Sequence, residues 1–169
     1  LRGTGVLVAN DISNSRAKAL LKNLELFGAG NILVTSETPE RLLNYFEGWF
    51  DKILVDAPCS GLGIIRKKPE IRYKKADDLF ALPVVQTAIL ENASRYVKPG
   101  GTLVYSTCTV LRRENEAVAE AFLKEHPDFS PETIPAPEGF GLENDGMLTL
   151  LPFKHDTDGF FICRMRKHS

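Results

Sequence analysis

At 169 residues, with 43% hydrophobic and 25% charged side chains, the chain has the size and balance of one globular domain with a real core. No apolar run approaches the roughly 20 residues of a membrane span, and the first residues lack a signal-peptide layout. A net charge of −1 does not mark a nucleic-acid binder, so any such role must rest on a local patch, and three widely spaced cysteines argue for a reducing compartment rather than a disulfide framework.

Strand and helix patterns then alternate along the chain. Residues 5–11 (GVLVAND) read as a strand ending in a polar pair. Ser13 is placed to cap a helix whose apolar face is Ala17, Leu20, Leu21, Leu24 and Phe27, stopped by Gly28. Residues 31–35 (NILVT) are a second strand, and 39–46 a short helix. Residues 50–58 (FDKILVDAP) are a third strand, whose apolar centre predicts burial on both faces. After a basic loop, 83–98 read as a helix with Val85, Ile89, Ala93 and Val97 on one face. Pro99-Gly100-Gly101 predicts a turn before the strand 102–107 (TLVYST). A helix over 114–126, a loop over 131–146 and a strand over 159–166 (GFFICRMR) complete the pattern. Such alternation predicts an α/β fold with a mostly parallel sheet, right-handed crossovers and helices on both faces.

In such sheets ligands bind beyond the carboxyl ends of the strands. Asp11, Glu37 a little past its strand, Asp56 to Cys59, and Thr107 to Thr109 occupy those ends. An acid closing an early strand ahead of a helix suits the ribose diol of a nucleotide-like cofactor. Asp11 fits that description and also fits a helix cap, while Glu37 also reads as an ordinary loop glutamate.

Two of the three cysteines, Cys59 in VDAPCSG and Cys108 in YSTCTV, close strands whose neighbours are Pro, Gly, Ser and Thr. A thiol there is held rigidly yet faces the ligand crevice, as a covalent nucleophile requires. Plain packing stays open for each, and is the expectation for Cys163 in the middle of the last strand. Zinc is not expected: no CxxC is present, and His126, His155 and His168 lack ligand spacing.

The blocks ILVDAPCSGLGIIRKKPEIRY (53–73) and GGTLVYSTCTVLRRENEAV (100–118) resemble the two signature blocks of RNA cytosine carbon-5 methyltransferases, in particular the bacterial Sun/RsmB type acting on 16S ribosomal RNA. Residues 150–167 (LLPFKHDTDGFFICRMRK) resemble that type's C-terminal end, so the likeness runs from about residue 5 to 167. It implies a class I, S-adenosylmethionine-dependent, Rossmann-like methyltransferase fold. By position, Asp11 would hold the cofactor ribose, and Glu37 would stand where the family usually has an aspartate near the adenine. Asp56 would lie beside both cofactor and target base. Cys108 would be the nucleophile, adding to carbon 6 of the cytosine, and Cys59 the helper in product release. The runner-up takes Cys59 as nucleophile, as in DNA cytosine methyltransferases, which lack the Ser-Thr-Cys-Thr block.

The stretch IRKKPEIRYKK (65–75) carries six basic residues against one acid, Glu70. Taken alone the stretch reads equally well as a solvated surface loop; beside the crevice, Arg66, Lys67, Lys68 and Arg72 become a phosphate-binding rim, and Tyr73 a platform for an unpaired base. The family's glycine-rich first motif, on a strand ahead of residue 1, is not in the sequence. Residues 1–169 are therefore expected to be the C-terminal portion of a single catalytic domain whose central first strand lies upstream. The expected partner is RNA, with neither membrane nor metal, in the cytoplasm; the oligomeric state is not legible. Transfer RNA as substrate and a catalytically silent RNA-binding module are the alternatives. A nicotinamide oxidoreductase is disfavoured by the lack of GxGxxG and leaves two strand-end cysteines unexplained.

Overall fold

The computed structural model describes residues 4–75, 79–135 and 144–169. They form two compact units, Leu1–Tyr45 and Phe46–Ser169.

In the first unit, β1 (Leu7–Asn10) pairs in parallel with β2 (Ile32–Thr35), Asn10 standing opposite Thr35. Helix α1 (Asn14–Leu26) makes the crossover, and α2 (Pro39–Phe46) follows β2. Ser13 sits at the N-cap of α1 in extended conformation, but its hydroxyl caps nothing; it meets Ser15 Oγ instead. Gly28 ends the helix as expected, at φ +69° with its N–H on the Glu25 carbonyl. The expected apolar face is only partly covered. Ala17 is buried, whereas Phe27 falls past the last helical turn and is 89% exposed.

The second unit is built on β3 (Phe50–Asp56), α3 (Leu82–Tyr96), β4 (Val97–Thr107), α4 (Glu116–Glu125), β5 (Phe129–Pro131), β6 (Met147–Leu150), α5 (Pro152–His155) and β7 (Phe160–Lys167). The sheet order is β3-β4-β7-β5, with β6 also on β7. β3 and β4 are parallel, but β7 runs antiparallel to β4, β5 and β6. The expected α/β character is present, with a more mixed sheet than strand-helix alternation predicts. Helix α4 carries the chain over to β5, which runs the same way as β4. β7 then inserts between the two in the opposite direction. Leu90, Val97, Leu103, Tyr105, Phe122, Phe161 and Met165 form the centre of the core, where α3 and α4 pack against each other and α3 against β3 and β4.

Four local expectations are corrected. β3 is not buried on both faces: Val55 is buried but Leu54 is 68% exposed. α3 buries Gln86, Leu90 and Ala93 while Val85 stays exposed, so its inner face is turned by one residue. The amide of Gln86 is used inside, as described below. Pro99-Gly100-Gly101 lies within β4, where a bulge opposite Phe50–Lys52 absorbs the extra residues and Gly100 takes φ +73°. The stretch between the loop 131–146 and the last strand, for which no element was expected, holds β6 and α5; the loop itself meets β5 only at Pro131, and residues 136–143 lie outside the described residues. Among the described residues, β1 pairs with β2 alone and β3 with β4 alone.

Candidate active site

Parallel pairing of β3 and β4 puts Asp56 opposite Ser106, and the Ala57 N–H continues the ladder to the Ser106 carbonyl at 3.0 Å. The two chains therefore leave the sheet side by side, which brings Cys59 and Cys108 together with their sulfurs 3.1 Å apart. Both residues are half-buried. Burial first, then the hydrogen bond with Cys108, push the Cys59 thiol up from 9.0 to about 12. The raised value keeps Cys59 protonated at neutral pH, and in the sulfur–sulfur contact either thiol can donate. Cys163, on β7, is fully buried, and burial pushes its thiol to about 12. It packs, as expected.

A buried polar network ties the two cysteine turns together. Ser60 donates its N–H to Glu114 Oε2 at 2.8 Å, and its hydroxyl meets Thr109 Oγ1 at 2.7 Å. Gln86 Nε2 donates to the Pro58 carbonyl at 2.9 Å and to Glu114 Oε2 at 3.2 Å. Thr107 Oγ1 donates to Asn115 Oδ1 at 2.6 Å, and Asn115 Nδ2 donates to the Thr109 carbonyl at 3.1 Å. Tyr105 OH donates to the Glu114 carbonyl at 2.6 Å. Backbone contacts close the arrangement: the Gly63 N–H reaches the Cys108 carbonyl at 3.0 Å, and the Gly159 N–H reaches the Gly63 carbonyl at 2.8 Å. Residue 63 must be glycine here, since a Cβ would lie 2.2 Å from the Gly159 oxygen and 2.8 Å from the Cys108 oxygen.

Ser60, Gln86, Glu114 and Asn115 were not among the residues singled out from sequence. The available signal was the cluster of polar side chains around each cysteine, SG after Cys59 and RRENE after Cys108, more than strand ends need.

Two of the three expected cofactor residues, Asp11 and Glu37, sit in the first unit. Asp11 Oδ1 accepts the Ser13 N–H at 2.8 Å and Arg16 Nε at 3.1 Å, so Asp11 braces the turn that leads into α1. Asn10 pins Glu37 beside that strand end, its Oδ1 accepting the Glu37 N–H and its Nδ2 donating to the Glu37 carbonyl, both at 3.0 Å. The Glu37 carboxylate pairs with Arg41 at 3.1 Å, one helical turn on. Asp56, in the second unit, is exposed at the last position of β3.

The basic stretch follows one 3₁₀ turn, Leu62–Ile64, and contains a second, Pro69–Tyr73, with Ile71 buried beneath. Lys67 pairs with Asp158 and Arg66 donates to the Thr157 carbonyl, which ties this stretch to the loop ahead of β7. Lys68 and Arg72 are exposed, and Tyr73 is 86% exposed. Lys74 instead donates to the Ser60 carbonyl at 2.8 Å and becomes part of the Cys59 turn. Among the described residues, no group of three or more His, Cys, Asp or Glu could hold a metal, and no helix is long and apolar enough to cross a membrane.

The family described as 16S rRNA methyltransferase RsmB/F matches residues 1–166. The chain belongs to that family. It is 42% identical to the probable ribosomal RNA small subunit methyltransferase B of Bacillus subtilis over 99% of this chain and 39% of that protein. It is 37% identical to the ribosomal RNA small subunit methyltransferase F of Aeromonas hydrophila over 99% of this chain and 36% of that protein. Among solved structures, NSun6 from Pyrococcus horikoshii with SFG superposes with a TM-score of 0.82 at 30% identity, covering all of this chain and 43% of that one. The chain thus spans less than half the length of these relatives.

Proposed function

We propose that the protein to which this chain belongs transfers a methyl group from S-adenosylmethionine to carbon 5 of a cytosine in RNA, with 16S ribosomal RNA in the cytoplasm as the substrate. The observation that carries this reading is the Cys59–Cys108 pair, 3.1 Å apart at the ends of adjacent parallel strands. The curated relatives, named for small-subunit ribosomal RNA methylation, support the substrate. The neighbour solved with SFG, an analogue of S-adenosylmethionine, supports the cofactor.

The residues present suit that cofactor. Asp11 and Glu37 place two carboxylates just past the ends of neighbouring parallel strands, where they would serve as acceptors for a ribose diol and for the adenine side. When bound, it supplies an electrophilic methyl on a sulfonium. This chain supplies the activation of the base. Carbon 5 of cytosine is a poor nucleophile. The Cys108 sulfur adds to carbon 6, forming an S–C bond and leaving an enamine whose carbon 5 is electron-rich. Asp56 hydrogen-bonds the base edge, where charge develops. Once carbon 5 carries its methyl group, a base takes the carbon-5 proton, that bond's electron pair re-forms the C5=C6 double bond, and the Cys108 sulfur leaves carbon 6 as a thiolate, freeing the product. Cys59, protonated and in contact with the Cys108 sulfur, makes Cys108 the better leaving group. The target cytosine must be turned out of any helix to reach this half-buried pair. Arg66, Lys67, Lys68 and Arg72 would bind phosphates around it, with Tyr73 stacking on a neighbouring base.

The test is methyl transfer by the full-length protein to 16S ribosomal RNA transcripts, with the product mapped as 5-methylcytosine. Wild-type protein is expected to label one or a few cytosines and Cys108→Ala none. Full turnover by Cys108→Ala would overturn the covalent reading.

A further inference from the structure

The geometry points to Glu114 as a positioning residue that sets the distance between the two thiols. Its carboxylate is fully buried, and among the described residues it forms no ion pair. A buried carboxylate without a cation is costly and persists only where its surroundings over-determine it. Here Oε2 takes the Ser60 N–H and the Gln86 amide, while Oε1 and Gln86 Oε1 are left without hydrogen-bond partners. Turning the Gln86 amide over would aim its oxygen at the Pro58 carbonyl and at Glu114 Oε2, so the orientation is forced by its partners.

Glu114 touches both cysteine turns. Through Ser60 it holds the peptide next to Cys59, and Gln86, bonded to the same oxygen, holds Pro58 on the other side. Its own carbonyl is held by Tyr105 of β4, three residues before Cys108. Ser60 and Thr109 close the loop hydroxyl to hydroxyl. The brace therefore runs from the strand that ends at Cys108 to the turn that carries Cys59. Glu114 touches neither thiol; it works by fixing where Cys59 stands. The proposal rests on the reading of Cys59 and Cys108 as a working pair, but its geometric content does not.

The test uses the thiols as a ruler. Full-length protein is equilibrated in buffers of oxidised and reduced glutathione. Cys59–SH and Cys108–SH give up two protons and two electrons to form one disulfide, and one oxidised glutathione becomes two reduced. Mass spectrometry of the linked peptides yields the effective concentration of the pair, alongside kcat and KM for RNA. Glu114→Ala is expected to lower the effective concentration and kcat together by about 10- to 100-fold, with KM for RNA little changed. Glu114→Gln, whose amide oxygen still accepts from Ser60, is expected to recover most of both. Gln86→Met, which keeps the volume, serves if Glu114→Ala does not fold, and is expected to shift both quantities in the same direction by a smaller factor. An unchanged thiol equilibrium in whichever of these two variants folds overturns the brace. Full turnover by Cys108→Ala overturns the reading of the pair, and the glutathione measurement still decides the brace.

Discussion

Cys59 and Cys108 stand sulfur to sulfur at 3.1 Å because Asp56 and Ser106 are register partners in adjacent parallel strands, and the ladder continues for one more bond past them. A slip of one residue would turn the side chains of β3 to the opposite face. Strand register brings together the two turns, distant in sequence, that carry the pair.

Removing the helper should leave the first half of the chemistry running. Cys59→Ala is expected to attack RNA through Cys108 and then fail to release it. A denaturation-resistant protein–RNA band should accumulate, absent from the Cys59→Ala, Cys108→Ala double variant. Normal turnover by Cys59→Ala would return Cys59 to a packing role.

Alkali should destabilise the fold. Cys59 and Cys163 have folded values of about 12 against 9.0 for an ordinary thiol, both through burial. Between those values the unfolded chain releases protons that the native chain keeps, so stability is full below pH about 9 and falls as pH rises toward about 12. Tyr105, raised by burial and neighbouring negative charge, acts in the same direction. Urea midpoints should decline through this range. Cys163→Ala should decline less steeply, and a slope equal to wild type would exclude Cys163 from the effect.

Gly63→Ala should damage both stability and turnover. The added Cβ meets backbone oxygens of Gly159 and Cys108, neither of which is a flexible side-chain end. A cost of about 1–3 kcal/mol in unfolding free energy is expected. Because one of the displaced atoms is the Cys108 carbonyl, kcat should fall even where the variant is fully folded. Wild-type kcat in folded Gly63→Ala would show that this contact does not position the thiol.

Asp11→Asn separates the two roles of Asp11. The amide oxygen still accepts the Ser13 N–H, so the start of α1 should hold, with a stability change of about 1 kcal/mol or less. A hydrogen bond to a charged acceptor is worth about 1.5–3 kcal/mol, so loss of the carboxylate should weaken S-adenosylmethionine binding by about 10- to 150-fold in calorimetry of the full-length protein. Unchanged affinity would leave Asp11 as a brace of that turn alone.

Changing Arg66, Lys67 and Lys68 together to alanine should reduce the slope of log RNA affinity against log salt by about 2 units, at ~0.7 per phosphate contact on a single strand. The Lys67–Asp158 pair makes an exact three-contact loss unnecessary for the reading. No change in slope would return this stretch to a solvated surface.

The positions of the candidate residues were legible because they lie where patterns break, while the roles given to them came from the family resemblance. A strand that ends in Asp-Ala-Pro-Cys or Ser-Thr-Cys-Thr places its polar residues by periodicity alone, and Asp11 closes β1 in the same manner. The supports were not legible. Gln86 sits at a position where a reading weighted on apolar residues prefers Val85, and Glu114 reads as an ordinary helix-start acid until its distant partner Ser60 is known. The exposure of Leu54 and the antiparallel insertion of β7 depend on which elements lie alongside, information spread over the whole chain. Tertiary partners decided these cases, and local pattern carries no record of them.

The position of β7 has a consequence for how the protein is made. A chain emerging from the ribosome delivers β3, α3 and β4 first, and with them both cysteines. β4, however, waits with one edge bare until residues 160–167 arrive to fill the gap beside it, and only then does the Gly159 N–H reach the Gly63 carbonyl. Through that interval the newborn chain carries an unpaired, apolar strand edge and two thiols lacking their final clamp, a window for mispairing with other chains. Translation speed across the stretch between β4 and β7 therefore sets how long the nascent protein is exposed to aggregation and to handling by chaperones.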